Sequence, residues 1–445
     1  MELRNILGRS VYLGPGSSKM DVINEVVKKP GQDKAFYVLD ISEVVERVKL
    51  WRQLLPRVDI FYAVKCNSEP IVLGLLTALG TGFDCASQSE MEQVLGLGAQ
   101  SSRIIYANPY KLPSHLRFAQ ARQVSLMTFD SETELHKIKA NYPEAQLVLR
   151  IRYDAAKSFI CFGEKFGVLP DKARTLLVAA RALTLSVVGV AFHVGSDCSD
   201  LPVFYHAIAA ARKVFDEAEE EGFKPYLLDI GGGFPGDDER LMRELSHYIN
   251  IALDHFFPDD GRVKVIGEPG RFIVASSFTL VTSIIGKRHK DELEHSTSSA
   301  RKQVEWHNSS CSSLEKENEV KKQKEAISNM YYINDGVFTS FCSVLKNREP
   351  DTPTPLVERP GQPQVASTLW GWSCTSTDCV KKDILLPDLS LGDWLVWSTL
   401  GAYTLSHFSN FNGLPLPEVY IFQTPDSVKY LKAYENELDG NSTSY

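Results

Sequence analysis

The sequence predicts an α/β fold in which a TIM-like (β/α)8 barrel is followed by a mostly β C-terminal domain. Between about residues 57 and 268, short apolar runs alternate with helix-like stretches, the pattern of a parallel sheet covered by helices. After Arg271 this alternation stops, and strand-like runs separated by Pro and Gly follow. The chain has 445 residues, 43% of them apolar, which is enough for one large or two medium domains with real cores.

Eight apolar runs qualify as barrel strands. In chain order they end at Val64, Ala86, Ala107, Asp130, Arg152, Val194, Gly232 and Glu268. Eight parallel strands with intervening helices close most naturally into a barrel, and an open doubly wound sheet is the alternative. In a barrel the active site lies where the strands end, so the residues that follow these runs are the candidate functional residues.

The remaining segments are assigned to the second domain. The predicted barrel spans residues 35–271, and residues 1–34 and 272–435 form the β domain, to which the N-terminal segment contributes a strand. A stretch at about 288–328 is rich in charge and Ser and is interpreted as a mobile surface insertion. The last ten or so residues are expected to form a frayed tail.

Composition excludes several function classes. The chain has 48 basic and 56 acidic residues, a net charge of -8, and no Lys/Arg stripe, so no nucleic acid partner is expected. No signal peptide and no span of roughly 20 apolar residues is recognisable, which predicts a soluble, cytoplasmic protein without a membrane partner. The eight Cys are scattered and none has metal-ligand spacing with His, so free thiols and no metal site are predicted.

Polar or conformationally special residues follow several of the predicted strands. They are Lys65, Asp84, Arg150, His193, Gly231–Gly233 and the segment Glu268–Arg271. A loop residue or a satisfied core polar group is the simpler interpretation for Arg150 or Asp130 taken alone. The shared position at strand ends nevertheless predicts a functional site at the barrel mouth.

Glycines near the last two strands predict a phosphate site. Gly231, Gly232 and Gly233 would let backbone amides approach an anion closely, although a tight strand-to-helix turn explains this segment equally well. Gly270 and Arg271 supply a second glycine-and-cation pair at the end of the eighth strand. Barrels commonly bind phosphate at these two strand ends, so together the segments favour a phosphorylated ligand.

Lys65 follows an apolar strand, which places its amine at the barrel mouth. Partly apolar surroundings would lower the pKa of this amine and make it nucleophilic towards a carbonyl compound. An ordinary surface lysine is the alternative, and the glycine segments on the same rim favour the functional interpretation. Glu268 ends a buried strand and needs a cation or a protonated ring nitrogen as partner. His193 either packs flat against a ring or is a hydrogen-bonded core histidine.

Ordered motifs along the chain resemble one known family. They are YAVKCN (Tyr62–Asn67), GFDCAS (Gly82–Ser87), HVGS (His193–Ser196), LDIGGGFPG (Leu228–Gly236), EPGR (Glu268–Arg271), NDGV (Asn334–Val337), WGxxC (Trp370–Cys374) and GAY (Gly401–Tyr403). Together they resemble eukaryotic ornithine decarboxylases, pyridoxal-phosphate enzymes built on an alanine-racemase-like barrel with a C-terminal β domain. The resemblance runs from near residue 30 to about 425.

The resemblance implies pyridoxal 5'-phosphate as cofactor. By this resemblance Lys65 carries the cofactor, Glu268 pairs with its pyridine nitrogen and His193 stacks on its ring. A carboxylate at that nitrogen keeps it protonated, which makes the ring an electron sink. The phosphate would be held by Ser196, Gly231, Gly232, Gly233, Gly270, Arg271 and Tyr403, and the supporting residues would be Asp84, Glu90 and Arg150.

The resemblance also implies a homodimer with shared active sites. Cys374 matches a cysteine that reaches in from the partner subunit and reprotonates the carbanion left after CO2 departs. The predicted catalytic residues are therefore Lys65, His193, Glu268 and Cys374, and the isolated protomer is expected to be inactive.

The match fails where these relatives bind the distal ammonium of ornithine. Their two aspartates correspond to Asn347 and Thr375 here. A buried ammonium without its counter-charges is penalised by roughly 3 to 5 kcal/mol, on the order of a hundredfold to several thousandfold in binding. Lys346 stands where Tyr is common, and Trp372 where Pro is usual. We therefore expect a neutral, apolar, leucine-like substrate rather than ornithine, and Lys346 leaves an acidic substrate open.

The competing class is a non-catalytic binding protein. The resemblance extends to antizyme inhibitors, which have lost cofactor binding and sequester antizyme. The retained cofactor residues favour an enzyme over such a regulator of polyamine metabolism. Antizyme binding is doubtful, because the corresponding stretch Lys111–Asp130 contains Pro113 and few lysines.

Overall fold

The N-terminal part of the chain leads into the barrel from a separate sheet. The computed structural model describes residues 18–160, 162–289, 328–424, 427 and 430, and the backbone of two N-terminal strands. The first elements are β1 (Glu2–Ile6), β2 (Arg9–Leu13), α1 (Lys19–Val27), β3 (Phe36–Asp40) and α2 (Ile41–Leu54). α2 begins where the Asp40 carboxylate accepts the Ser42 N–H at 3.0 Å, which satisfies a backbone donor of the first turn.

The barrel consists of eight parallel strands and the helices between them. Its elements are β4 (Val58–Ala63), α3 (Pro70–Ala78), β5 (Gly82–Cys85), α4 (Gln88–Gly96), β6 (Ile104–Tyr106), α5 (Pro113–Ala121), β7 (Leu126–Phe129), α6 (Glu132–Asn141), β8 (Gln146–Arg150), α7 (Ala173–Ala182), β10 (Ser186–Ala191), α8 (Val203–Glu220), β12 (Leu227–Asp229), α9 (Glu239–Phe256) and β13 (Lys264–Gly267). A small antiparallel pair, β9 (Ser158–Ile160) and β11 (Ser196–Cys198), lies outside the barrel.

Closure of the barrel confirms the predicted fold class. β13 pairs in parallel with β4, so the strand order β4-β5-β6-β7-β8-β10-β12-β13 returns to its start and the open doubly wound sheet is excluded. Each of the eight predicted apolar runs contains one barrel strand. Trp51 of α2 is fully buried against the outside of the barrel, where its Nε1–H donates to the Val58 carbonyl at 2.8 Å.

The second domain is a ten-stranded mixed sheet in the described part of the chain. Its C-terminal elements are the short helix α10 (Arg271–Val274) and strands β14 (Phe278–His289), β15 (Asn329–Ile333), β16 (Thr354–Pro355), β17 (Gln364–Trp370), β18 (Cys379–Pro387), β19 (Trp394–Trp397) and β20 (Glu418–Gln423). The sheet order is β1-β2-β20-β3-β14-β15-β17-β18, with β19 joining β14 and β16.

β3 corrects the predicted start of the barrel at residue 35. This strand pairs antiparallel with β14 and parallel with β20, so it belongs to the mixed sheet and the first barrel strand is β4. A short apolar run carries no signal for which of two sheets it joins. Residues 290–327 of the predicted insertion and the tail after residue 430 lie outside the described residues. None of the described helices is long and apolar enough to cross a membrane.

Candidate active site

A cavity of about 500 Å³ opens where the barrel strands end and the C-terminal domain covers them. Predicted site residues from both domains line it: Lys65, Arg150, His193, Ser196, Gly232, Gly233, Glu268, Gly270, Arg271, Lys346 and Tyr403. Parallel strands direct their carboxyl ends to one face of the barrel, which is why residues far apart in sequence converge here.

Lys65 lies in the single turn Val64–Cys66 that follows β4. Its ammonium contacts the fully buried Asp84 carboxylate at the end of β5. Burial opposes the positive charge, but the carboxylates of Asp84 and Glu268 favour it, and the pKa of Lys65 lies above its ordinary value. The prediction that apolar surroundings lower this pKa is therefore wrong for the free amine, because strands β5 and β13 bring carboxylates to it.

Two further buried carboxylates belong to this group: Glu268 acts on Lys65, and Asp229 acts on Glu268. Burial, and then the neighbouring Asp229 and Asp84, raise the pKa of Glu268 well above its usual range. Burial also raises the pKa of Asp229 to about 7. Asp229 ends β12, and its Oδ1 accepts the Gly231 N–H at 2.8 Å. The free protein therefore holds Glu268 in a place that favours a cationic partner.

His193 and Arg150 form one side of the cavity. The Gly195 N–H donates to Nδ1 of His193 at 3.1 Å, and the Phe162 ring packs edge-on to the imidazole with 4.8 Å between centroids. Burial, and then the charges of Arg150 and Lys65, lower the pKa of His193 well below its usual range, so the imidazole is neutral at pH 7. A neutral ring facing the cavity suits packing against another ring.

The glycine cradle consists of Gly231, Gly232, Gly233 and Gly270, which are packed so closely that a Cβ on any of them would clash with neighbouring protein atoms. A Cβ on Gly232 would lie 2.8 Å from Nε2 of His193, and one on Gly270 would lie 2.7 Å from Cβ of Cys66. Gly231 and Gly233 have φ values of +63° and +112°, a region that favours glycine. Gly232, Gly233 and Gly270 line the cavity, so their backbone meets it without a shielding side chain.

Tyr403 and Arg271 close the cradle. The Arg271 guanidinium lies 5.3 Å from the Tyr403 ring centroid, and the Tyr403 N–H donates to the Cys66 carbonyl at 2.9 Å. Nε of Arg271 and Oδ1 of Asp84 are buried and have no hydrogen-bond partner in the described part of the chain. Buried polar atoms are rarely left unpaired, so an arginine facing a glycine cradle fits the phosphate of the predicted pyridoxal phosphate.

Glu90 does not line the cavity, and its carboxylate binds the backbone next to the cavity. Its carboxylate accepts the Ala86 N–H at 2.5 Å, just after β5, in the first turn of α4. Burial, against the effect of that hydrogen bond, raises the pKa of Glu90. This residue shapes the strand end that holds Asp84.

The residues predicted to contact substrate separate into two groups. Lys346 ends the 3-10 turn Cys342–Lys346 and lines the cavity, and the exposed Asn347 follows it with φ +61°. Cys374 is exposed and Thr375 is half-buried, and the Cys374 N–H donates to Oδ1 of Asn412 at 3.0 Å. Trp372 lines a separate cavity of about 170 Å³. The last three residues lie away from the main cavity of their own chain.

Sequence reasoning missed several residues of the cavity region. Asp229 lies two residues before Gly231, and its closeness to the predicted phosphate-binding glycines could have identified it as a site residue. Arg348 and Asp197 form an ion pair that lines the cavity, and Phe159 lies beside it. No sequence pattern links Asp197 with Arg348, because β11 and the C-terminal domain meet only in the folded chain.

Replacing Asp229 by Asn is expected to stabilise the cofactor-free protein, most strongly at high pH. The folded-state pKa of about 7 lies above the ordinary value of 3.8, so protonation contributes stability below pH 4 that is lost as the pH rises through 7. Asn keeps an acceptor for the Gly231 N–H and removes the charge, a gain of at most about 4 kcal/mol at pH 8. The melting-temperature difference between Asp229→Asn and the parent should grow from pH 5 to 8. A difference that is constant over this range contradicts the raised pKa.

Comparison with known proteins finds relatives over most of the chain. Residues 41–275 match the family described as pyridoxal-dependent decarboxylase, pyridoxal binding domain. The chain is 43% identical to antizyme inhibitor 2 of Xenopus laevis over 403 residues, which cover 90% of this chain and 83% of that protein. It is 40% identical to ornithine decarboxylase of Rattus norvegicus over 417 residues, which cover 93% and 86%.

Solved structures show the same fold. The arginine decarboxylase of Paramecium bursaria Chlorella virus matches with a TM-score of 0.80 and 35% identity, covering 90% of this chain and 100% of that chain. The lysine decarboxylase from Selenomonas ruminantium matches with a TM-score of 0.74 and 30% identity, covering 93% and 98%. These proteins act on different basic amino acids, so the fold leaves the substrate undetermined.

Proposed function

Since the chain belongs to the pyridoxal-dependent decarboxylases, we propose that its substrate is a neutral, apolar α-amino acid, with leucine the leading candidate. The chain is a decarboxylase that uses pyridoxal 5'-phosphate. The observation that carries the substrate proposal is the state of the carboxylates around the cavity. Each carboxylate among the described lining residues lies near a cation or accepts a hydrogen bond, and the cation near Glu268 is Lys65.

Each of these carboxylates has its own partner or neighbouring cation. Asp197 pairs with Arg348, which also feels the charge of Asp237. Asp351 accepts the Thr399 hydroxyl at 2.8 Å, and Glu349 lies 3.4 Å from Nζ of Lys381. A substrate ammonium would have to compete with these partners, which disfavours ornithine.

Apolar side chains supply the complementary surface. The cavity is lined by four apolar residues of the segment that follows β8, namely Phe159, Ile160, Phe162 and Phe166. Burial of an aliphatic side chain against such rings is favourable by roughly 25 cal/mol per Å² of apolar area. An aliphatic side chain such as that of leucine therefore matches the apolar chemistry of this side of the cavity.

The residues of the chain have separate tasks in the reaction. Pyridoxal phosphate, when bound, supplies an electron sink for the carbanion left after CO2 departs. Lys65 would hold the cofactor through its amine, and Glu268 would keep a proton at the ring nitrogen. His193 would pack on the ring as a neutral imidazole. Arg271 and the glycine cradle would hold the phosphate and fix the ring in place.

The active sites are proposed to be shared between two copies of the chain. Cys374 is exposed and lies outside the main cavity of its own chain, which agrees with a cysteine that acts in a neighbouring site. In that arrangement Cys374 of the partner subunit would supply the proton to the substrate carbon that loses CO2. Thr375 would then face the substrate in the same neighbouring site.

Product analysis tests the substrate. Purified protein with pyridoxal phosphate and a mixture of the common amino acids plus ornithine is expected to form isopentylamine or another neutral amine, and no putrescine. The matched variant is Asn347→Asp combined with Thr375→Asp, which restores the two carboxylates and should raise kcat/KM for ornithine by about a hundredfold or more. Putrescine from the parent, or no gain in the double variant, contradicts the assignment of the pocket.

A regulatory binding protein is the second candidate, since antizyme inhibitor 2 is among the relatives. Lys111, in the stretch that would bind antizyme, is fully buried against Glu134 and is not available to a partner. Cofactor binding without any amine product from the mixture would make this second function the better account.

A further inference from the structure

An ion pair joins the two domains across the cavity. Arg348 follows the 3-10 turn of the C-terminal domain, and Asp197 lies in β11 above the barrel. Their guanidinium and carboxylate are in contact, and the two side chains are 23% and 24% exposed. The guanidinium also lies 5.5 Å from the Phe159 ring centroid, so the pair is flanked by the apolar side of the cavity.

Asp197 occupies a backbone position that favours glycine. Its φ is +53°, a left-handed conformation that is unfavourable for residues other than glycine, although less so for Asp and Asn. The Asp197 carboxylate contacts the Arg348 guanidinium from this conformation. The cavity is therefore lined by the Asp197 carboxylate at a position where the backbone conformation alone would favour glycine.

Each member of the pair would be a strong charge without the other. Burial, and then the neighbouring Arg271, lower the pKa of Arg348, while Asp197 and Asp237 counteract this effect. In a partly desolvated site an unpaired charge selects for ligands of opposite sign far more strongly than it does at an exposed surface.

We propose that the Arg348–Asp197 pair determines the charge selectivity of the cavity. Arg348 neutralises Asp197 and thereby removes a carboxylate that would otherwise bind the ammonium of a basic amino acid. Asp197 in turn neutralises Arg348, which would otherwise attract an acidic side chain. The inference rests on the proposed function for the reaction, and ligand binding to the holoenzyme tests the selectivity separately.

The test removes the charge of Arg348 and of Asp197 separately and then of both together. Arg348→Met leaves Asp197 unpaired and should increase the affinity for ornithine relative to leucine at least tenfold. Asp197→Asn leaves the guanidinium unpaired and should increase the affinity for glutamate relative to leucine. The double variant restores neutrality and should return both ratios to within about threefold of the parent. Each Kd is measured by titrating the holoenzyme and following the cofactor absorbance, and kcat/KM is measured alongside.

Arg359→Met is the matched control. Arg359 pairs with Asp393 at 2.5 Å with side-chain exposures of 22% and 24%, and it does not line the cavity. This control should leave the ligand ratios unchanged even if it lowers the melting temperature as much as Arg348→Met does. Arg348→Lys keeps the charge and should retain the parental preference for leucine over ornithine. If Arg348→Met fails to fold, Asp197→Asn and Arg348→Lys still test the pair.

Two results overturn the inference. One is an ornithine-to-leucine ratio in Arg348→Met equal to that of Arg359→Met. The other is a double variant that keeps the full gain for ornithine, which would assign the effect to Asp237 instead. If the ratios shift as expected while no variant releases an amine, the proposed reaction is wrong. The inference that the Arg348–Asp197 pair determines charge selectivity is then still supported.

Discussion

Lys65→Ala is expected to lose decarboxylation almost completely, with kcat/KM lower by on the order of a thousandfold or more. The lysine is placed for this role by three features. It lies at the end of β4 on the rim of the cavity, its ammonium meets the buried Asp84, and the glycine cradle lies on the same rim. Alanine removes the amine and leaves Asp84 as an uncompensated buried carboxylate.

The measurement combines product release with cofactor absorbance. The variant should lose the absorbance band of the covalently held cofactor as well as amine formation. Lys165→Ala is the control, because Lys165 also lines the cavity but its Nζ lies 4.9 Å from the Phe166 ring centroid, away from the buried carboxylates. A parental absorbance spectrum in Lys65→Ala would assign the covalent attachment to another residue.

Lys111→Met is expected to destabilise the barrel by about 3 to 5 kcal/mol. Lys111 and Glu134 are 0% and 1% exposed, and Nζ of Lys111 lies 3.0 Å from Oε1 of Glu134. The same ammonium donates to the Thr128 carbonyl at 2.6 Å and to the Asn108 carbonyl at 3.1 Å. Methionine fills the volume but leaves these buried acceptors without their donor.

Thermal unfolding measures this effect, with a fall in melting temperature of about 5 to 15 °C. Lys137→Met is the control, because Lys137 contacts the same Glu134 at 2.5 Å but is 30% exposed, and its loss should change stability by less than about 1 kcal/mol. Equal shifts in melting temperature in the two variants would mean that the burial of Lys111 does not increase its contribution to stability. Since Asn108 lines the cavity, Lys111→Met should also weaken substrate binding.

The barrel, and the convergence of most predicted site residues on one cavity, could be predicted from the sequence. Alternating apolar runs and helix-like stretches encode strand number and order, and parallel closure brings all strand ends to one face. Lys65, His193, Glu268 and Arg271 follow those ends directly, so local pattern was sufficient to place them together. The short β3 was assigned to the wrong domain because pairing partners are decided by tertiary packing.

The sequence by itself determined the strand ends and the chemical types that surround the cavity. Only the tertiary structure decided how their charges combine. The pKa of Lys65 depends on Asp84 from the next strand and on Glu268 from the last, and that of Asp229 depends on burial. The Arg348–Asp197 pair joins residues far apart in the chain from different domains. Electrostatic interactions depend on distance and desolvation, and neither is encoded in the local pattern of a sequence.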